Sequence, residues 1–232
     1  MDIIFIDHDL VILNKPAGLS VLQEGWSKDQ PYLLHLVEGE LGRVWVVHRL
    51  DKLTSGVMVL ARTAEAHRSL SMQFEGHRVE KCYRAICIGV PEWEEKTVRQ
   101  PLRADVGHKH RTVVDGQKGK PAATLFRVLE RFQAHSLLEA KPLTGRTHQV
   151  RVHAYAMGYP LLGDPLYGSS GAELIARPAL HAFSLKILQP VSKDWTTRLE
   201  NIPDWSQIEF EAPYPDDILS ALTSLYGTPS RV

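Results

Sequence analysis

Cysteine is almost missing from this 232-residue chain, which has two, Cys82 and Cys87. Five positions apart on one predicted strand, they point to opposite faces and can neither bridge locally nor form a metal-ligand pair. Packing is their expected role. Long apolar runs are missing too, since no stretch approaches the ~20 residues that a membrane helix needs. The opening Met1-Asp2-Ile3-Ile4-Phe5-Ile6-Asp7 lacks the basic start and small-residue cleavage site of a signal peptide. A cytoplasmic location with no membrane partner is the expectation. There is no heptad pattern, fixed-period repeat or low-complexity tract. Net charge is absent as well, with 27 Lys and Arg against 27 Asp and Glu, which at face value argues against a nucleic-acid partner.

The local charge says otherwise. From Arg99 to His153 there are eleven Lys or Arg against four acids, a net of +7. From Ser192 to Asp217 there are two basic residues against seven acids, a net of −5. A polarised molecule with one face suited to phosphates follows, although any single Lys or Arg could be surface charge compensated in space. An apolar content of 44% allows a substantial core, as one domain over 1–232 made of two closely joined halves.

Ile3 to Ile6 and Leu10 to Asn14 read as short strands joined at Asp7-His8-Asp9, followed by a turn at Lys15-Pro16-Ala17-Gly18. Arg43 to Val47 reads as a strand, and Val57 to Ala61 as a buried one because it is short, apolar and bounded by Gly56 and Arg62-Thr63. Thr63 is a plausible N-cap for a helix from Ala64 to about Gly76, with Ala66, Leu70 and Phe74 on one face. Val79 to Val90 alternates, with Tyr83, Ala85 and Cys87 on one side. Residues 92 to 120 hold few apolar runs and read as basic loop or hairpin. Ala123 to Phe132 and Ser136 to Lys141 look like paired strands. Thr147 is the expected cap of a helix running to Met157, stopped by Gly158 and Pro160. Leu180 to Leu188 and Ile208 to Glu211 are the last strands, and Pro215 to Tyr226 a closing helix. Many strands in hairpin order among few helices imply an α+β architecture.

The most informative stretch is His48-Arg49-Leu50-Asp51-Lys52-Leu53-Thr54-Ser55-Gly56. It sets one carboxylate among cationic and hydroxyl groups on the loop entering a rigid strand, where scaffolds display reactive groups. On this stretch alone Asp51 could equally close a turn through Thr54 and Ser55 and pair with Arg49. A second block is Gly145-Arg146-Thr147-His148-Gln149-Val150-Arg151-Val152-His153, followed by Gly158-Tyr159-Pro160-Leu161-Leu162-Gly163-Asp164-Pro165. With Asn14-Lys15-Pro16-Ala17-Gly18-Leu19 and Lys81-Cys82-Tyr83-Arg84-Ala85, these blocks resemble the RluA-type pseudouridine synthases, in the same order along the chain. The resemblance runs from about residue 3 to about residue 190.

That resemblance implies a large bent mixed, mostly antiparallel sheet flanked by helices and loops, with a central cleft. The family's accessory S4 module would have no room before the catalytic part. It implies isomerisation of uridine to pseudouridine in RNA, a reaction that needs no cofactor because nothing is oxidised or hydrolysed overall. A carboxylate suits it by stabilising or capturing an electron-poor C1′, or by taking a C2′ proton. Asp51 matches that group. Arg146 matches the arginine that orients the carboxylate and holds it ionised, and Tyr83 the tyrosine that lies against the uracil. Arg49 matches the arginine that enters the space left by an extruded base.

Lys15 reads as cleft framework with a possible phosphate contact, and Arg151 and the basic 99 to 153 region as RNA-binding. His148 and Gln149 would hold the arginine loop in place, with His148 also within reach of RNA, and Asp164 would brace a turn. A zinc site built from His48, His148, His153 and His181 is not expected, because the interval of five from His148 to His153 is poor for shared ligation. The partner would be ribosomal or transfer RNA, met as a stem-loop by a monomer. Two other readings stay open: a non-catalytic RNA-binding module, and a nucleoside or glycoside hydrolase, which would want a second carboxylate.

Overall fold

The computed structural model describes residues 2–24, 30–107, 111–168, 174–188 and 207–227. His108-Lys109-His110 of the basic stretch and residues 192–206 of the acidic one lie outside the described residues. In chain order the elements are β1 (Ile3–Ile6), β2 (Leu10–Lys15), α1 (Leu33–Leu41), β3 (Trp45–Val46), β4 (Ser55–Ala61), α2 (Ala64–Glu75) and β5 (Glu80–Ile88). They continue with β6 (Glu95–Val98), β7 (Leu102–Val106), β8 (Arg111–Val114), β9 (Thr124–Arg131), β10 (His135–Pro142) and α3 (Gln149–Ala156). The last are β11 (Leu180–Leu188), β12 (Gln207–Glu211) and α4 (Asp216–Tyr226). The class is α+β. The chain divides into two compact units, Met1–Lys81 with Ala182–Pro213, and Cys82–His181 with Tyr214–Val232.

In the first unit β1 pairs antiparallel with β2, and β2 with β4. The connection of β1 and β2 turns where it does because the Asp7 carboxylate accepts the N–H groups of Asp9 and Leu10 at 2.8 and 2.7 Å, an Asx turn. All seven residues of β4 are buried, which accounts for its unbroken apolar run. β3 spans only Trp45 and Val46, shorter than the strand expected from 43 to 47. Helix α2 starts as anticipated, the Thr63 hydroxyl accepting the Ala66 N–H at 3.2 Å. Its buried Gln73 exchanges two hydrogen bonds with the backbone of Leu188, 3.0 and 2.8 Å, pinning the helix to the end of β11.

Helix α1 has no counterpart among the expected elements. It starts at Tyr32 with no side-chain cap, because its first donors are taken by backbone: Leu33 N–H by Ser20 O at 2.8 Å and Leu34 N–H by Val21 O at 3.1 Å. A helix capped by a distant main chain leaves no capping signature of its own.

The second unit runs β5-β10-β9-β6, each pair antiparallel. Alternation along β5 separates two cores. Ala85 and Cys87 face Phe126, Leu138, Val150 and Ala154, with Tyr83 packed against that cluster. Ile86 belongs to the other, with Leu137, Leu162 and the buried residues of α4. Residues 92–120, expected as loop or hairpin, contain β6 and the hairpin β7–β8. The strand content was hidden because β7 buries only Leu102, leaving no apolar alternation to read.

Gly56 sits at φ +120°, and a Cβ there would lie 2.2 Å from the carbonyl oxygen of Ala182. Both the backbone angle and the space exclude a side chain. Gly56→Ala is expected to lose about 3 kcal/mol or more, read as a lower urea midpoint at unchanged slope.

Candidate active site

In the first unit, the loop that carries Asp51 is fastened at both ends. At its start the His48 ring accepts the Val59 N–H through Nε2 at 3.1 Å and stacks on Phe74 at 4.5 Å. Burial, helped by the Lys81 ammonium, pushes its pKa down to about 3. His48 is therefore a neutral acceptor and a structural pin. Leu50 is buried, Arg49 is exposed and Asp51 is half-buried, so the chain turns inward between two charged residues. The Asp51 carbonyl then accepts the Thr54 N–H at 3.0 Å and closes the turn.

The middle of this loop is held by Lys15. Its ammonium is fully buried and donates to the carbonyl oxygens of Pro16 (2.8 Å), Leu19 (2.8 Å) and Lys52 (3.2 Å). The Gly18 N–H adds a bond to the same Lys52 carbonyl at 2.8 Å. The N-K-P-A-G turn and the Asp51 loop are thus one piece. This corrects the phosphate contact considered for Lys15: a buried ammonium with three carbonyl partners has no donor to offer outside. Framework is its role.

In the second unit, Tyr83 lies opposite Ala140 on β5, half-buried against the cluster that includes Val150 and Ala154 of α3. Tyr83 and the helix that follows Arg146 therefore share one face of this unit's sheet. Helix α3 begins at Gln149 rather than at the expected Thr147 cap, with His148 left-handed at φ 54° and no side-chain cap. What replaces the cap is Gln149 folding back: its Oε1 accepts the Arg146 N–H at 3.0 Å and the Thr144 hydroxyl at 2.7 Å. The Arg146 guanidinium donates from Nε to Pro121 O at 3.1 Å.

Two expected RNA contacts change role here. Arg151 is buried and holds the fully buried Asp164 through two bonds of 2.7 and 2.8 Å. Asp164 also accepts the N–H groups of Leu166 and Tyr167, so it braces a turn as expected. Arg151 is consumed as its counter-ion and is not available to phosphate. His148 meets the Tyr167 hydroxyl through Nδ1 at 3.0 Å, and that hydroxyl accepts the Thr112 N–H at 2.9 Å. His148 is half-buried and ties α3 to β8. Of the other basic residues between 99 and 153, Arg103 pairs with Asp115, Arg127 with Glu95 and Arg131 with Glu94, while Lys118 and Lys120 are exposed.

A loop-borne carboxylate on a clamped strand entrance in the first unit, and in the second a strand tyrosine and an arginine just ahead of the helix packed near it, match the sequence blocks that suggested the family. The model described as RNA pseudouridylate synthase matches residues 9–156, and the chain belongs to that family. Ribosomal large subunit pseudouridine synthase D of Neisseria meningitidis serogroup A is 37% identical over 241 residues, covering 97% of this chain and 61% of that protein's own length. An uncharacterized RNA pseudouridine synthase of Zymomonas mobilis is 43% identical over 218 residues, covering 92% and 93%. Among solved structures, human RNA pseudouridylate synthase domain containing 4 superposes with a TM-score of 0.73 at 25% identity, covering 97% of this chain and 93% of that one. The resemblance drawn from the four blocks is borne out at the level of the family. Among the described residues no helix is long and apolar enough to cross a membrane.

The depressed His48 makes a pH prediction. Between about pH 6.5 and about pH 3 the unfolded chain binds a proton at this position that the folded chain refuses, so stability falls as pH drops through that window. His48→Gln removes that contribution. Denaturant unfolding at about pH 7 and about pH 4.5 is expected to show a smaller acid loss for the variant than for the wild type.

Proposed function

We propose that this protein isomerises uridine in RNA to pseudouridine, with Asp51 as the group acting at C1′ or C2′, Arg146 orienting and charging it, and Tyr83 bearing on the uracil. The observation that carries the reading is the family match across 9–156, a span that contains all three residues within the blocks quoted above. The clamped loop supports it: a reacting carboxylate gains from a backbone that does not move when substrate arrives. The half-buried Tyr83 supports it too, since an aromatic face can hold a flipped pyrimidine while allowing it to turn.

Cleavage of N1–C1′, rotation of the base and joining of C5 to C1′ leave the atoms of the nucleotide unchanged except for the C5 hydrogen, which goes to solvent and is replaced by a proton at N1. Arg49, exposed beside the loop, is the residue proposed to enter the space of an extruded base. Lys118 and Lys120 are proposed phosphate contacts. Extracting a base costs a few kcal/mol, less from a loop than from a helix, so a stem-loop of ribosomal or transfer RNA, met in the cytoplasm by a monomer, completes the proposal.

Release of tritium from RNA carrying 5-tritiated uridine tests the reading. The wild type is expected to release tritium without freeing uracil; free uracil would mean hydrolysis, and binding without release a module that only binds. Asp51→Asn is expected to retain RNA binding and to release no tritium, and measurable turnover by it would refute the assignment. Arg146→Ala is expected to lose rate by on the order of a hundredfold or more, with a smaller loss of affinity.

A further inference from the structure

We infer that Gln149 is a positioning residue for Arg146, its carboxamide aimed by a buried relay through Thr124 and His153. The inference rests on the functional reading above, in which Arg146 orients the reacting carboxylate. Gln149 is 4% exposed and all of its hydrogen-bonding capacity is directed. Oε1 receives the Arg146 N–H and the Thr144 hydroxyl, while Nε2 donates to Ala123 O at 2.9 Å and to the Thr124 hydroxyl oxygen at 3.0 Å. A backbone N–H can only donate and a backbone carbonyl can only accept, so the amide has one permitted orientation.

The relay behind it has one permitted direction as well. With Nε2 of Gln149 donating to it, the Thr124 hydroxyl sends its own proton to His153 Nδ1, 2.8 Å away. His153 Nε2 then carries the ring proton, which it donates to Gln100 O at 3.0 Å. Every donor meets an acceptor from Gln100 to Arg146 only with His153 neutral, and burial of that ring favours the neutral form. Anchored on β9 and on the body of α3, this chain of bonds fixes the backbone from which the Arg146 side chain springs. That side chain makes only one bond of its own to Pro121 O among those described, so its aim depends on where the backbone puts it.

Single-turnover tritium release and RNA affinity, measured on folded full-length variants, separate positioning from simple stability. Gln149→Ala is expected to slow the chemical step on the order of tenfold to a hundredfold with RNA affinity within about twofold. Gln149→Glu keeps the acceptor for Arg146 but turns a carboxylate oxygen toward Ala123 O; its rate relative to wild type is expected to rise as pH falls and that oxygen gains a proton. The Ala variant should show no such recovery. If Gln149→Ala fails to fold, Thr124→Val and Thr124→Ser decide: the first removes the relay hydroxyl and is expected to slow the step several-fold, and the second restores most of the rate. A wild-type rate in Gln149→Ala, or equal rates in the two Thr124 variants, overturns the inference while leaving the functional reading intact if Asp51→Asn is inactive. Absence of tritium release from the wild type overturns both.

Discussion

An ammonium with no water around it must find oxygen elsewhere, and in the first unit that requirement decides the shape of the loop bearing Asp51. Lys15 gathers the carbonyls of Pro16, Leu19 and Lys52, three groups from two loops separated by more than thirty residues. It is the buried ammonium that would face the larger cost without these partners. The three carbonyl dipoles share the charge and tie the N-K-P-A-G turn to the loop of Asp51. His48 and Gly56 complete the arrangement from the strand side, one by accepting a β4 N–H and the other by letting the Ala182 backbone come close.

The second unit uses polar side chains in the same way. Gln149 and Asp164 both spend their oxygens on backbone N–H groups, at Arg146 in one case and at Leu166 and Tyr167 in the other. Buried polar groups of this kind specify one conformation because every alternative leaves a donor or acceptor unpaired. The sheet beneath them is ordinary: two alternating faces, one packed on α3 and one on α4. On the α4 face Arg84 pairs with Glu139 directly across the strands. Burial alone would raise the Glu139 carboxyl, but the hydrogen bonds and charges from Arg84, Cys82 and Lys141 together hold it below its usual value.

Much of the fold was legible because its strongest signals are local. The Asp7 turn, the Thr63 cap, the apolar run of β4, the alternation of β5 and the paired strands at 124–142 all announce themselves in neighbouring residues. The elements that were missed or misplaced carry no such pattern. Helix α1 is capped by the backbone of Ser20 and Val21, β7 is a polar strand held by its pairing, and α3 begins one residue after Thr147's hydroxyl would have placed it because Gln149 does the capping from inside the helix. The site residues divide the same way. Asp51, Tyr83 and Arg146 stood out through the motif blocks, and Gln149 as a support for the arginine loop was visible as well. Lys15 was read correctly as framework, but its possible phosphate contact and the RNA-binding role of Arg151 were misjudged because charge suggests exposure, and nothing nearby revealed the carbonyl cage of one or the Asp164 partner of the other.

The cysteines show what this burial means for redox chemistry. Cys82 is pushed up to about 12, mainly by burial, and its thiol points at the Glu139 carboxylate 3.4 Å away, while Cys87 is raised further in a purely apolar setting. Neither sulfur forms a useful amount of thiolate at neutral pH, and thiolate is the species that peroxide and electrophiles attack. The native thiols are thereby poor targets for electrophiles, and a single cysteine introduced on the surface would be the one site that a maleimide dye labels.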